Sequence, residues 1–267
     1  MRKAALSGLG VFKMSYHQLL SIGTNAKTIK GDKYGFKTGV LYLAPYDLSG
    51  YQVCPMAKLA GCINGCLNSA GRGAFNSVQK ARLAKTSRFF HDRQAFMQDL
   101  VKSIRFLERK AAKEHMIPLV RLNGTSDIRW EDIFFDYTFA FGKVRRVNIF
   151  EVFPDVQFYD YTKIPNRKDI PANYDLTFSY SGKPEFLPFV KKAMSQGMRI
   201  ATVFRNRAEI PSEFLGLPVI DGDDSDIRHS EPQGVIVALY AKGKAKKDFS
   251  GFVVDSSKKV IPILLAA

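Results

Sequence analysis

The sequence predicts an α/β protein, a (β/α) barrel of TIM type or a partial barrel, and three observations predict it. Short apolar segments of strand length recur along the chain with helical or loop stretches between them. Nearly every one of these segments runs into polar or charged residues, as barrel strands do where they build a site. No G-x-G-x-x-G follows the first of them, which argues against a dinucleotide-binding sheet.

Residues 1–35 read as an N-terminal extension, with a short helix around Tyr16 to Leu20 and a Gly/Lys-rich run after it. Residues 36–267 read as a single domain, a length sufficient for one full core. The first strand is Phe36 to Ala44, with Gly39 inside it, and Pro45 ends it. A polar loop leads from there into V-C-P-M-A-K-L-A-G-C-I-N-G-C-L-N-S-A-G-R-G, Val53 to Gly73. A helix over Phe75 to Thr86 follows, with a break near Arg88 to Asp92. In the next helix Phe96, Leu100, Ile104, Leu107 and Ala111 share one face by their spacing of three and four, opposite Lys102, Arg105, Arg109 and Lys113. Further strands are expected over Ile117–Leu122, Val156–Tyr161, Asp175–Tyr180, Arg199–Phe204, Pro218–Ile220 and Gly234–Tyr240, and helices over Trp130–Phe141 and Pro184–Gln196.

All three cysteines of the chain, Cys54, Cys62 and Cys66, lie in the loop after the first strand, spaced C-x7-C-x3-C. Three thiolates supply three corners of a metal or cluster site, and Fe–S clusters are held by cysteine thiolates. The reading is a [4Fe–4S] cluster bound by these three, with one iron left without a protein thiolate. Zinc fits less well: its sites favour shorter Cys pairs and a His ligand, and His17, His91, His115 and His229 are all distant in sequence. Buried unligated thiols are the remaining alternative. After the third cysteine, Gly71-Arg72-Gly73 either offers backbone N–H groups and a cation to the site or, as we favour, simply turns the chain into the helix.

Forty Lys and Arg against 25 Asp and Glu give a net charge of +15 and a pI near 9.7. That excess favours polyanions, including non-specific nucleic acid, but no RNP, KH, zinc-finger or helix-turn-helix signature accompanies it. No apolar run is long enough to span a bilayer and no secretory signal is expected, so a cytoplasmic protein without membrane contact is the expectation.

On the barrel reading, the strand ends bring Asn123, Ser126, Asp127, Asp160, Lys163, Ser179, Arg205, Asn206, Asp221, Asp223, Asp226 and Arg228 around the cysteine loop. Asp127, Asp160 and the Asp221/Asp223/Asp226 group are the candidate general acids and bases. Arg121, Lys163, Arg205 and Arg228 are the candidates for fixing an anionic group. Thr125-Ser126-Asp127 also reads as a helix N-cap leading into Trp130.

A strand followed by three clustered cysteines, opening a series of β/α units, resembles the radical S-adenosylmethionine enzymes, whose partial barrel carries a three-Cys loop after its first strand. Their usual spacing is C-x3-C-x2-C, and Asn123-Gly124-Thr125-Ser126-Asp127 stands where they carry Gly-Gly-Glu. A more specific resemblance rests on four motifs together. These are C-P-x-A-x3-A-G-C-x3-C-L-x-S-A-G-R-G, K-A-R-x-A-K-T-x-x-F (Lys80 to Phe89), R-L-N-G-T-S-D-I-x-W-E (Arg121 to Glu131) and F-Y-D-Y-T-K (Phe158 to Lys163). They resemble a phage and plasmid family named after a mycobacteriophage gene product, number eighty-eight. The resemblance runs from about Gly39 to about Gly251 and implies a viral or plasmid origin and a cluster.

The expected function is an iron–sulfur hydrolase or lyase whose open iron acts as a Lewis acid on a small-molecule or peptide substrate, with Asp127 the first choice of general acid or base. The alternatives are a radical enzyme binding S-adenosylmethionine on that iron, and a nucleic-acid-binding protein with a structural cluster. In the last case Phe134, Phe135, Tyr137, Tyr159 and Tyr161 would offer stacking surfaces.

Overall fold

A computed structural model describes residues 19–23, 26–63 and 65–255. The helix expected around Tyr16 to Leu20 falls mostly outside them, and Leu20 itself begins a strand.

In chain order the strands are β1 (Leu20–Ile22), β2 (Phe36–Leu41), β3 (Ile117–Arg121), β4 (Phe135–Thr138), β5 (Val144–Val147), β6 (Gln157–Thr162), β7 (Tyr174–Ser179), β8 (Ile200–Phe204), β9 (Glu213–Phe214), β10 (Leu217–Asp221), β11 (Ile236–Tyr240) and β12 (Val253–Val254). The α-helices are α1 (Ala26–Asp32), α2 (Tyr46–Ser49), α3 (Asn76–His91), α4 (Arg93–Lys113), α5 (Ile149–Val152) and α6 (Leu187–Ser195). All strands but β4 and β5 join one sheet, in the order β1-β2-β3-β6-β7-β8-β11-β10-β9, with β12 also on β8. The seven segments that the sequence marks as strands are β2, β3, β6, β7, β8, β10 and β11, and all seven run parallel.

This mixed α/β architecture is not a closed barrel. Among the described residues the sheet has two ends, β1 paired antiparallel to β2 and β9 paired antiparallel to β10. Leu215 and Gly216, both at positive φ, make the two-residue turn between β9 and β10. A two-residue strand folded back on β10 occupies the edge that ring closure would need.

The two faces of the sheet follow from the alternation of side chains along each strand. Phe158 packs with Phe96, Leu100 and Ile104 of α4, and Phe178, Ile200 and Ile236 pack with Val190 and Ala193 of α6. Gly39 lies on this helix-covered face, where an added Cβ would sit 2.9 Å from Leu107 Cδ2, so its lack of a side chain lets α4 approach β2. The opposite face carries Leu119, Tyr159, Ala201 and Val237, and Ile227 packs against the first two. The residues Phe96, Leu100, Ile104, Leu107 and Ala111 of α4 are fully buried, as their spacing predicts.

The helix expected over Trp130 to Phe141 is not formed. Trp130–Asp132 is a single 3-10 turn, and Phe135–Thr138 pairs with Val144–Val147 as an antiparallel hairpin. Phe135 is buried, Tyr137 half-buried, and Asp136 and Thr138 exposed: this stretch alternates with a period of two. The helix expected at Phe75 to Thr86 instead runs on to His91, and Asp92 caps α4 through its side chain. No helix among the described residues is long and apolar enough to cross a membrane.

Candidate functional site

The loop that leaves β2 runs along the C-terminal ends of the parallel strands. It is tied down at several points. Val53 O accepts the Asp127 N–H at 2.7 Å, Ala60 O accepts the Ser181 hydroxyl at 2.7 Å, and Gly61 O accepts the Ser250 hydroxyl at 3.4 Å. The loop is thus anchored to the segments that follow β3 and β7 and to the stretch that precedes β12. At its far end Asn68 is gripped from α3: the Arg82 guanidinium donates to its Oδ1 (2.6 Å) and its carbonyl (2.9 Å), and Gln79 donates to that carbonyl (2.9 Å).

Cys54, Cys62 and Cys66, each half-buried, line a single cavity of about 1870 Å³ over the sheet face opposite α4 and α6. Arg121, Tyr161, Ser179, Ala201, Val203 and Leu239, all from the strands of that face, line it too. The Cys54 thiol lies 3.7 Å from Thr125 O and the Cys62 thiol 3.7 Å from Ala57 O, while Cys66 Sγ accepts the Asn68 N–H at 3.5 Å. Burial pushes all three thiols up from their ordinary pKa. Asp127 and the other two cysteines push Cys54 further in the same direction, whereas Lys163 opposes the rise at Cys54 and Cys62. The three sulfurs therefore feel one another, but among the described residues no three Cys, His, Asp or Glu side chains converge closely enough to hold a metal ion.

The donor set nonetheless suits an iron–sulfur cluster. Three soft thiols on one loop face one space, a cation stands beside two of them, and a backbone N–H points at the third. Burial opposes a bare thiolate here, so a cluster would supply the compensating positive charge.

The loop after β3 forms the wall beside Cys54. Gly124 N donates to Leu41 O at 3.0 Å and Thr125 Oγ1 to Leu43 O at 2.6 Å. A Cβ on Gly124 would meet Leu41 O at 2.7 Å and Tyr42 at 2.6 Å, so only glycine permits this approach. Asn123 organises the loop from within: its Oδ1 accepts from Ser126 Oγ (2.8 Å), Ile128 N (3.0 Å) and Trp130 Nε1 (3.0 Å).

Asp127 lines the cavity but caps no helix. Its Oδ2 accepts the Lys163 N–H at 2.8 Å, the Thr162 hydroxyl also reaches its carboxylate, and Arg167 lies 3.9 Å from Oδ1. Burial outweighs these partners and raises its pKa. Lys163 is buried at the cavity wall, its ammonium donating to Ser179 O and Oγ, both at 3.1 Å, and lying 4.9 Å from the Phe252 ring. Burial lowers its pKa, with Cys62, Asp127 and Cys54 opposing.

Five other expected residues, Asp160, Asp221, Arg228, Arg205 and Asn206, stand outside the cavity, and the exposed Asn206 accepts the Ala208 N–H at 3.2 Å in the turn after β8. Asp160 shares the parity of Phe158 on β6 and so points to the helix face, where it accepts from Leu122 N (3.2 Å), Asn123 N (2.8 Å) and Tyr174 Oη (2.9 Å). Asp221, exposed at the end of β10, pairs with Arg207 at 2.7 Å. Arg228 is fully buried and holds Gly222 O (2.7 Å), Ser225 O and Glu231. Arg205 is spent on Asp248 O (2.6 Å) and Lys246 O (3.0 Å). Asp223 and Asp226 do line the cavity, the first paired with Lys242 at 2.7 Å and the second with Arg121 at 3.0 Å. Of the five aromatics proposed for stacking, Tyr161 alone lines it, while Phe135 and Tyr159 are core.

Lys85 and Tyr46 reach the cavity with no strand-end signal to mark them, because they stand on α3 and α2, which also line it. Arg82 and Lys80 reach it from the same helix, inside a motif that carries no recognised chemistry of its own.

No curated protein and no solved structure matches this chain. A family model described as gene product 88 matches residues 18–256, which takes in the cysteine loop, the whole sheet and every residue of the cavity wall, and the chain belongs to that family.

Proposed function

We propose that this protein is an iron–sulfur enzyme in which Cys54, Cys62 and Cys66 hold a [4Fe–4S] cluster and leave one iron facing the cavity. The observation that carries the reading is the position of the three thiols. They sit on the loop after the first parallel strand, at the C-terminal ends of the sheet, along one cavity large enough for a cofactor and a substrate together.

Two chemistries are open to such a site, and the carboxylates separate them. Lewis-acid hydrolysis or lyase chemistry needs a positioned base. Asp160 and Asp221 point elsewhere, Asp127 accepts the Lys163 backbone N–H, Asp223 and Asp226 pair with Lys242 and Arg121, and Asp47, the other aspartate lining the cavity, is solvent-exposed on α2. That arrangement favours the radical reading, in which S-adenosylmethionine on the open iron supplies one-electron chemistry and no carboxylate base is required. In this reading the loop from Gly124 to Ser126, packed against Cys54, offers backbone carbonyls and the Ser126 hydroxyl to the bound cofactor. Lys163 offsets the negative charge of the thiolates at Cys54 and Cys62.

Anaerobic purification tests this directly. About four iron and four sulfide per chain are expected, with a spectrum that S-adenosylmethionine perturbs. A spectrum indifferent to S-adenosylmethionine returns the Lewis-acid reading to first place, and a colourless protein carrying one zinc per chain rejects both.

A further inference from the structure

One wall of the cavity is cationic and unpaired among the described residues, although Asp47 lines the same space from α2. Arg72 precedes α3, and Lys80, Arg82 and Lys85 project from it, all four lining the same space. None of them forms an ion pair with a carboxylate among the described residues, whereas Arg121 and Lys242 across the cavity are each paired with an aspartate. Two of the four are deeply buried: Arg82 is 7 % exposed and Lys85 6 %.

Among the described residues their hydrogen-bond partners are neutral: Lys85 Nζ donates to Leu19 O at 2.9 Å, Arg82 donates to the oxygens of Asn68, and Arg82 Nε has no partner. Burial pulls the Lys85 ammonium down to about 8, with Arg82 adding to the fall. Holding two like charges side by side in a low-dielectric wall is costly unless an anion joins them. The Cys66 thiolate can serve Arg82, which lies within its field, but it does not reach Lys85 in the same way.

The wall is also shaped for a ligand. Ser77, Val78, Ala81 and Ala84 occupy its other helical positions, so short side chains leave room between the cations. The start of α3 has neither a side-chain cap nor an acidic residue in its first turn, and Ser77 and Val78 of that turn line the cavity. Beside the wall stands Tyr46, 51 % exposed and lining the same space. An exposed aromatic next to a row of cations is the combination that receives a base and its phosphates.

We propose that the α3 wall, through Arg72, Lys80, Arg82 and Lys85, binds the phosphate groups of a nucleotide substrate whose base stacks on Tyr46. This rests on the cavity's being the substrate site of the enzyme proposed above, and it names the class of that substrate. The unit is a nucleotide phosphate, free or within a single strand.

The test uses the full chain, purified anaerobically, with iron and sulfide measured on every sample. Binding is read by calorimetry with ATP and by fluorescence anisotropy with a labelled short single-stranded oligodeoxynucleotide. Saturable binding of either is expected, with ATP binding pointing to a free nucleotide and oligonucleotide binding alone to a polymer. Lys85→Met removes a buried charge and is expected to weaken binding about tenfold, the scale of one charge-assisted contact. The exposed pair Arg72→Ala/Lys80→Ala is expected to weaken it without touching the core. If the strand binds, each lost phosphate contact lowers the salt slope by about 0.7. No binding of either probe, or equal binding by wild type and both variants, overturns the proposal. Nucleotide binding by a chain without iron and sulfide rejects the cluster alone, and a full cluster without nucleotide binding rejects this inference alone.

Discussion

Asp160 takes three hydrogen bonds in the interior of the protein, two of them from backbone N–H groups at the end of β3. Ladder pairing between β3 and β6 stops at Val120 and Phe158, so the carboxyl group stands in for the acceptors that a continued β3–β6 ladder would have supplied. Burial nevertheless dominates and pushes its pKa from 3.8 up to about 7, against Arg121 and the donors. The native carboxyl thus keeps its proton where the unfolded one has lost it. Its contribution to stability is full below about pH 4 and is lost as the pH rises through 7. Thermal unfolding is expected to show wild type melting higher at pH 5.5 than at pH 8, with a smaller gap in Asp160→Asn; an unchanged gap rejects this account. The same residue shows what the sequence withheld. Phe158 and Asp160 share a face by the period of two, and Phe158 is a core residue, so strand parity already turned Asp160 away from the sheet face that carries the cavity. Position at a strand end was visible in the sequence, while direction required counting from a known core residue.

At the scale of elements, the contact between the β3 end and the cysteine loop hangs on a glycine. Gly124→Ala drives a methyl into Leu41 O and Tyr42, and is expected to cost about 1–3 kcal/mol. The expected readouts are a lower denaturant midpoint and impaired cluster loading, since Thr125 shifts away from Cys54. Full stability and full iron content in that variant would contradict the packing described. The seven parallel strands were legible because each is a compact apolar run closed by polar residues. The β4–β5 hairpin was not, because F-F-D-Y-T-F is apolar at both helical and strand spacings and only its partner strand decides between them. Arg82 and Lys85 were missed for another reason: a lysine or arginine on a helix reads as solvated, and burial against a folded-back loop leaves no local signature.

Across the whole molecule, site and fold are separable. The cysteines are half-buried at a cavity wall, Cys54 and Cys62 only touching the margins of the two main cores around α4 and α6, whose buried members are aliphatic and aromatic side chains. Replacing any one of Cys54, Cys62 or Cys66 by Ser is therefore expected to abolish iron and sulfide binding and leave the circular dichroism spectrum unchanged. A Cys62→Ser protein with full iron content would reject the assigned ligands. The open order of the sheet has one more consequence. An unclosed sheet offers two raw margins to neighbouring molecules, and long flat margins recruit further chains into fibres. Here each described margin is a strand of three residues or fewer, β1 on one side and β9 on the other, set antiparallel to its neighbour. Such stubs give an incoming strand almost nothing to zip against, so the shape that keeps the cavity accessible does so without making the protein self-adhesive.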